Sequence, residues 1–284
     1  MTTPLSYETF VSEGVQRANG ALPSGEPIIS SPITSTLISG AEDALLVDPP
    51  FTLAQTARVA DWIARSGKRL RHIYVTHGHG DHWFGSVQLA QRFPGVTVHA
   101  TAGTIAVMKL NATEGRAKVF DRDFPNLIGE TPVLAQPIPA SGLSLDGVPL
   151  VPVDLGHTDT DETTVLHVPS LGLVVAGDVV YNGVHQYLVE SGNGGIDAWL
   201  AALGQLEGLR PKIVVAGHKN HALPDDPKII DETRRYLRDA KRLLAERPTP
   251  QAYYDQMLQL HPDRLNRGPL WYSGLALLSA PARR

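Results

Sequence analysis

Cysteine is absent from all 284 residues. That omission excludes disulfides, thiolate metal sites, a cysteine nucleophile and iron–sulfur clusters. It leaves the redox compartment open, because a chain without thiols tolerates either environment. Long apolar runs are missing too: none approaches the roughly 18 residues that a membrane helix needs. Met1–Phe10 shows neither the basic nor the apolar region of a secretory signal, so the expectation is a cytoplasmic protein that engages no membrane. There is no excess of positive charge. Twenty-five Lys and Arg against 29 Asp and Glu give a formal charge of −4, and without a positive field to attract a phosphate backbone, nucleic acid is not an expected partner. Low-complexity blocks, charge runs and internal repeats are likewise lacking.

What is present suits a globular chain. An apolar fraction of 42% beside a charged fraction of 19% supplies a sizeable core and argues against disorder. The expectation is one elaborated domain over residues 1–284. The Gly and Pro residues punctuate short apolar runs. Ser30–Ser39, a turn at Gly40 and Ala44–Asp48 read as two strands. Leu53, Ala57, Ala60 and Ile63 give Thr52–Ser66 a helical spacing that Gly67 ends. Strand His72–Thr76, helix Phe84–Phe93 and strand Val96–Ala100 follow, and residues 100–130 read as a helical excursion. Leu143–Val153 and Thr163–Val168 begin a second sheet. Leu171–Ala176 and Lys212–Ala216 are β-branched runs that each lead through a Gly to a potential ligand, Asp178 or His218. Pro227–Glu246 is amphipathic, and Gln251–Leu260 and Leu270–Ser279 continue the helical character. This order predicts a layered α/β sandwich.

Eleven histidines are many, but their spacing is what matters. His77-Gly78-His79-Gly80-Asp81-His82 places three imidazoles and a carboxylate in six residues, between an apolar strand and a helix. Alternate His residues grip one cation and the Asp-His pair a neighbour, while Gly78 and Gly80 let the loop curl around both. The bland alternative, a solvated His-rich turn, lacks that strand-loop-helix context.

Here the chain resembles the metallo-β-lactamase superfamily, whose hallmark is a His-x-His-x-Asp-His loop after a buried strand. The family's remaining pattern is matched by Gly156-His157-Thr158, Gly177-Asp178 and Gly217-His218, and the resemblance runs from about Ser30 to His221. It implies a four-layer αβ/βα sandwich, of α/β (α+β) class, with residues 222–284 as a helical extension near the metal cleft. By resemblance, His77, His79 and His157 hold one metal, Asp81, His82 and His218 hold a second, and Asp178 bridges them. Asp48 and Thr158 support the metal loop from behind. Imidazole and carboxylate donors without thiolate suit two Zn2+, with Fe, Mn or Co accommodated by the same ligands. Two cations about 3.5–4 Å apart generate a bridging hydroxide and polarise a carbonyl, and Asp81 is placed to shuttle the water's proton to the leaving group.

The remaining histidines have plainer readings. His72, His99 and His167 read as structural or surface residues, and His261 belongs to the tail. His185 either contacts substrate or packs in its loop; His221 either lines the cleft mouth or hydrogen-bonds locally. Tyr181, three residues past Asp178, matches the position at which acyl-homoserine lactonases keep a Tyr that donates to the substrate; otherwise it packs in the loop. Trp271, within Leu270-Trp271-Tyr272, either walls the cleft or belongs to the core or a dimer contact. Lys219 is the one basic residue beside the ligands, thin support for the thioesterase (glyoxalase II-like) branch. The expectation is a small-molecule ester or lactone hydrolase, lactonase first. β-Lactam or thioester hydrolysis comes second, then phosphodiester hydrolysis, then a non-catalytic role. The first thirty residues leave room for a homodimer.

Overall fold

The computed structural model describes residues 4–129 and 131–279; residues 1–3, 130 and 280–284 of the expected 1–284 domain lie outside them. Apolar β-branched segments build two sheets. In the first, β1 (Ser6–Ser12) pairs antiparallel with β4 (Ile33–Ser39), and β4 with β5 (Asp43–Val47). β6 (Arg69–Tyr74), β7 (Thr97–Ala100) and the short β8 (Gln136–Pro137) then add in parallel, giving the order β1-β4-β5-β6-β7-β8. The parallel steps require crossovers, supplied by α1 (Leu53–Arg65), α2 (Ser86–Arg92) and α3 (Ala102–Leu110). Thr52 caps α1: its hydroxyl accepts from the Gln55 backbone N–H, and the Gln55 side chain returns the bond to the Thr52 backbone. Between β1 and β4, the hairpin β2 (Gln16–Ala21) and β3 (Pro27–Ile29) stands apart from both sheets.

The second sheet is a meander of β9 (Leu143–Leu145), β10 (Val148–Gly156), β11 (Thr163–Val168) and β12 (Leu173–Asn182). It is completed by β13 (Ile213–Lys219), parallel to β12 across α4 (Gly195–Gly208). Helices α5 (Ile229–Ala245), α6 (Pro250–Leu260) and α7 (Arg267–Ser279) follow.

Side-chain alternation shows how the layers stack. In β5, Leu45 and Val47 face the space between the sheets, whereas Ala44 and Leu46 face α1 and its neighbours. In β12, Leu173 and Val175 point inward while Val174 and Ala176 meet Trp199 and Leu203 of α4 and Tyr236 of α5. Strands buried on both faces read as continuous apolar runs, which is why these segments stand out in the sequence. Helices therefore cover the outer face of each sheet, in the expected αβ/βα order. No helix among the described residues is long and apolar enough to cross a membrane.

Two regions depart from expectation. The excursion beyond Ala100 is helical, but α3 passes into a wide, π-type helix over Asn111–Phe120 before a last turn at Asp121–Asp123; such windings are frequent at functional sites. Residues 4–30, in which the sequence shows no demanding pattern, form three strands. β1 covers the edge of the first sheet, and Ile28 and Ile29 of β3 pack against Gly268 of α7.

His185 is fully buried, with Nδ1 3.1 Å from the Tyr236 hydroxyl. Burial, aided by the Arg264 guanidinium, pushes it down to about 3, below the roughly 6.5 of an unfolded histidine. The unfolded chain therefore takes up the proton first, and the stability tied to neutral His185 is present above about pH 6.5 and is lost as pH falls towards 3. Urea unfolding between pH 7 and 4 should show that decline. His185→Gln should flatten it by up to ~1.4 kcal/mol per pH unit.

Candidate metal centre

The polar cluster forms where the two sheets meet at their strand ends. Asp48 follows β5 in a left-handed conformation (φ 52°), an uncommon state for a non-glycine residue. This turns its carboxylate under the His-rich loop. Oδ1 accepts from the Thr76 backbone N–H at 2.9 Å, Oδ2 accepts from the Thr76 hydroxyl at 2.7 Å, and His82 Nδ1 lies 3.2 Å from Oδ2. The loop is pinned again by the Trp83 indole N–H, which donates to the Gly78 carbonyl at 3.0 Å.

Gly78 and Gly80 serve a purpose other than the expected curl, since neither has a positive φ. A Cβ on Gly78 would lie 2.4 Å from Val107 Cγ1, and one on Gly80 would lie 2.2 Å from the Phe84 ring. Gly78 lets the loop lie flush against α3, and Gly80 makes room for the Phe84 ring in the turn that follows. Gly217 does the same from β13, where a Cβ would reach 2.4 Å from Asp178 Oδ1 and 3.0 Å from His82 Cε1. Asp178 itself is aimed by an irregular pairing: six residues carry β12 from Val175 to Tyr181, while three carry β13 from Val215 to His218. Bulging of this kind re-aims side chains.

Three groups of donors result. His77, His79 and Asp159 form one, Asp81, His82 and His218 a second, and Asp48, His77 and His82 a third; within each group one donor atom per residue lies within 4.8 Å of the others. Asp178 joins the second, its Oδ2 3.0 Å from His218 Nε2 and its Oδ1 3.3 Å from His82 Nε2. Tautomers are set from outside. His218 donates from Nδ1 to the Pro32 carbonyl at 2.7 Å and His82 turns Nδ1 to Asp48, so both present Nε2 to the cluster.

The donor set fits a divalent cation. Five carboxylates (Asp48, Asp81, Asp159, Asp178 and Glu190) surround four imidazoles in a largely buried space. Burial alone would depress His79, His82 and His218. The carboxylates outweigh it: Asp178, Asp81 and Asp48 hold His82 at about 10, Asp178 raises His218, and Asp159 with Glu190 raises His79 well above its ordinary value. For the same reason Asp178 stays ionised despite burial, through His218 and His82. His77 goes the other way, because burial prevails over Asp159. So much negative charge around the imidazoles attracts positive charge, and a bound metal would displace those protons. His77 Nε2 and Asp178 Oδ1 are buried without a hydrogen-bond partner, as donor atoms reserved for a cation would be.

Several expected residues lie elsewhere. His157 is not grouped with His77 and His79. Its Nδ1 lies 2.6 Å from Asp161 and its buried, unpartnered Nε2 faces Gly195, while Asp159 stands 2.9 Å from His79 Nδ1. Thr158 is buried and donates to Asp159 Oδ1 at 2.9 Å. The Tyr181 hydroxyl donates to Asp178 Oδ2 at 2.5 Å, and its fully buried ring lies against Trp199 and His218. His185 sits beside Tyr236 in the helical layer, His221 is 71% exposed near Glu13, and Trp271 packs edge-on against Tyr254. Lys219 is buried and paired with Asp225. The cavity over the cluster, about 430 Å³, is walled instead by Phe51, Phe120, Phe124, Tyr187 and Tyr272, with Glu190 2.9 Å from His79 Nε2. Of these, Tyr272 is one residue from the position chosen on sequence, and Asp159 sits two past His157. Glu190 and Tyr187 carry no motif.

An αβ/βα sandwich with a histidine and carboxylate cluster at the strand ends defines the class. A family model for the metallo-beta-lactamase superfamily matches residues 30–218, and the chain belongs to that superfamily, an assignment that supports a metal-dependent hydrolase. Solved structures agree on the fold. The metallo-beta-lactamase FIM-1 from Pseudomonas aeruginosa, in its mono-zinc form, is 18% identical with a TM-score of 0.58, over 84% of this chain and 95% of that one. A metallo-beta-lactamase from Pontibacter korlensis is 19% identical with a TM-score of 0.56, over 82% and 99%. No curated protein matches.

Removing the Tyr181 hydroxyl should free the Asp178 carboxylate. Tyr181→Phe is expected to weaken metal binding about 10–100-fold, measured by chelator competition. His79→Ala and Asp178→Ala should each lower the metal per chain by mass spectrometry while the far-ultraviolet circular dichroism stays unchanged.

Proposed function

We propose that the protein is a dinuclear metal hydrolase that cleaves a carboxylic ester or lactone of a small molecule, lactones first. The observation that carries this reading is the two neighbouring donor groups, the second with Asp178 at 3.0 Å from His218 and 3.3 Å from His82, opening onto an aromatic-walled cavity. His77 and His79, with Asp159 as the third donor now beside them, would hold one cation; Asp81, His82 and His218 would hold the other, and Asp178 both. His157, the family's expected third donor, is the alternative to Asp159: its Nδ1 is oriented by Asp161 and its Nε2 is free. Nitrogen and oxygen donors without sulfur suit zinc, and the same ligands accommodate Fe, Mn or Co. When bound, such cations lower the pKa of water towards neutrality and stabilise charge developing on a carbonyl oxygen.

The chain's own residues do the rest. Asp81 lines the cavity with its side chain 25% exposed, and its Oδ2 lies 3.8 Å from His218 Nε2; it is placed to take a proton from the attacking water and return it to the leaving oxygen. Tyr181 holds Asp178 rather than substrate. Phe51, Phe120 and Phe124 offer an apolar acyl group a surface that excludes water. The π-type winding of Asn111–Phe120 brings Asn111, Gly115 and Val119 to that cavity together. β-Lactam hydrolysis is the second reading, motivated by the family. Glyoxalase II-like thioester cleavage is weakened by the pairing of Lys219 with Asp225.

Metal analysis and a hydrolysis panel test the proposal together. Near two zinc per chain is expected, with turnover of lactones or aryl esters that chelation abolishes and zinc restores. Turnover confined to nitrocefin, to S-lactoylglutathione or to bis-p-nitrophenyl phosphate would move the assignment to β-lactam, thioester or phosphodiester hydrolysis respectively. Metal counts for Asp159→Ala and His157→Ala distinguish the two candidate donors: the one whose loss lowers the zinc content is the ligand.

A further inference from the structure

Arg17, on the hairpin strand β2, lines the same cavity as His79, Asp81, Asp178 and His218, and it precedes the stretch that matches the family. Among the described lining residues it is the only Lys or Arg. One nitrogen, Nη2, donates to the fully buried carboxylate of Asp123. That carboxylate is already gripped at both oxygens by Arg122, whose Nε and Nη2 donate at 2.8 Å each. Two guanidinium groups thus share one carboxylate, leaving a surplus unit of positive charge, and Arg17 is the member that faces the cavity. Its Cζ lies 5.1 Å above the Tyr272 ring, which orients the group. Its Nε is buried and has no hydrogen-bond partner.

The Arg17 side chain stays 16% exposed, and in a cavity also walled by Phe51, Phe120 and Phe124 its charge is weakly screened. A site built this way favours a ligand that completes it and rejects the isostere that does not. We infer that Arg17 selects the substrate by binding a carboxylate on its acyl portion, so that the preferred substrate is an anionic ester or lactone whose reacting carbonyl faces the donor cluster. This rests on the hydrolase reading above for the identity of the reaction. The planar fork of the guanidinium matches a carboxylate.

A matched pair of substrates tests the inference on the zinc-loaded protein: the 4-nitrophenyl half-ester of adipic acid against 4-nitrophenyl hexanoate. The half-ester should be preferred at least tenfold in kcat/KM, with the difference carried by KM. Arg17→Gln should bring the ratio close to one while zinc content is retained, and Arg17→Lys should keep part of it. A preference that survives in Arg17→Gln, or is absent from the wild type, overturns the inference. If neither ester is cleaved, the ester-hydrolase reading fails separately, and calorimetry with adipate and hexanoate still decides the role of Arg17. Tighter binding of adipate by the wild type, lost in Arg17→Gln, supports it; equal binding of the two by the wild type, or a preference unchanged in Arg17→Gln, overturns it.

Discussion

The bonds from the Asp48 carboxylate to Thr76 and His82 are the contacts on which the rest of the site depends. Asp48 leaves β5 in a left-handed backbone conformation and ties down the end of the next strand, β6, through both the backbone and the hydroxyl of Thr76. With that strand end held, the His-rich loop must turn back across the sheet, and His82 meets Asp48 from the other side. Burying a charge of this kind is tolerable only when it is fully bonded. The carboxylate is, so the sheet and the loop are locked to one another.

The second sheet answers with a different device. Its long strand β12 is buried throughout, and regular pairing would leave Asp178 in the strand's ordinary alternation. The extra residues between Val175 and Tyr181 break that alternation and bring Asp178 to His82 and His218. Tyr181, emerging from the same irregularity, hydrogen-bonds the carboxylate it accompanies. Small residues complete the fit: Gly217 has no side chain because Asp178 and His82 occupy the space one would fill. Each sheet thus contributes donors that the other orients, and the cluster exists only while the two remain packed through Ile38, Leu45, Leu166, Val175 and Val215.

Above this electrostatic centre the cavity carries aromatic walls, and the contrast shapes what can bind. Carboxylates and imidazoles at the floor suit cations and the polar atoms attached to them, whereas Phe51, Phe120 and Phe124 suit hydrocarbon. Residues outside the family match add to the walls: Arg17 from the N-terminal hairpin and Tyr272 from α7 meet over the cavity. Walls added outside the family match are where the proposed role of Arg17 places substrate preference.

The sequence by itself determined the layering and the donor types. Strands buried on both faces had to be continuous apolar runs such as Val174–Ala176 and Val214–Ala216, and helix α1 had to begin at its Thr52 cap. Histidine and aspartate at alternate positions between a strand and a helix, with no cysteine anywhere, already specified nitrogen and oxygen chemistry. What only the tertiary structure decided were distances across the chain. Asp159 beside His79, Glu190 against the same ring and Arg17 over Tyr272 join residues up to 255 positions apart. Neither periodicity nor local motif encodes those separations, because they arise from how two sheets and a hairpin pack. The same packing took His185, His221 and Trp271 out of the cleft, since burial in a helical layer or exposure at a loop tip is settled by neighbours remote in sequence.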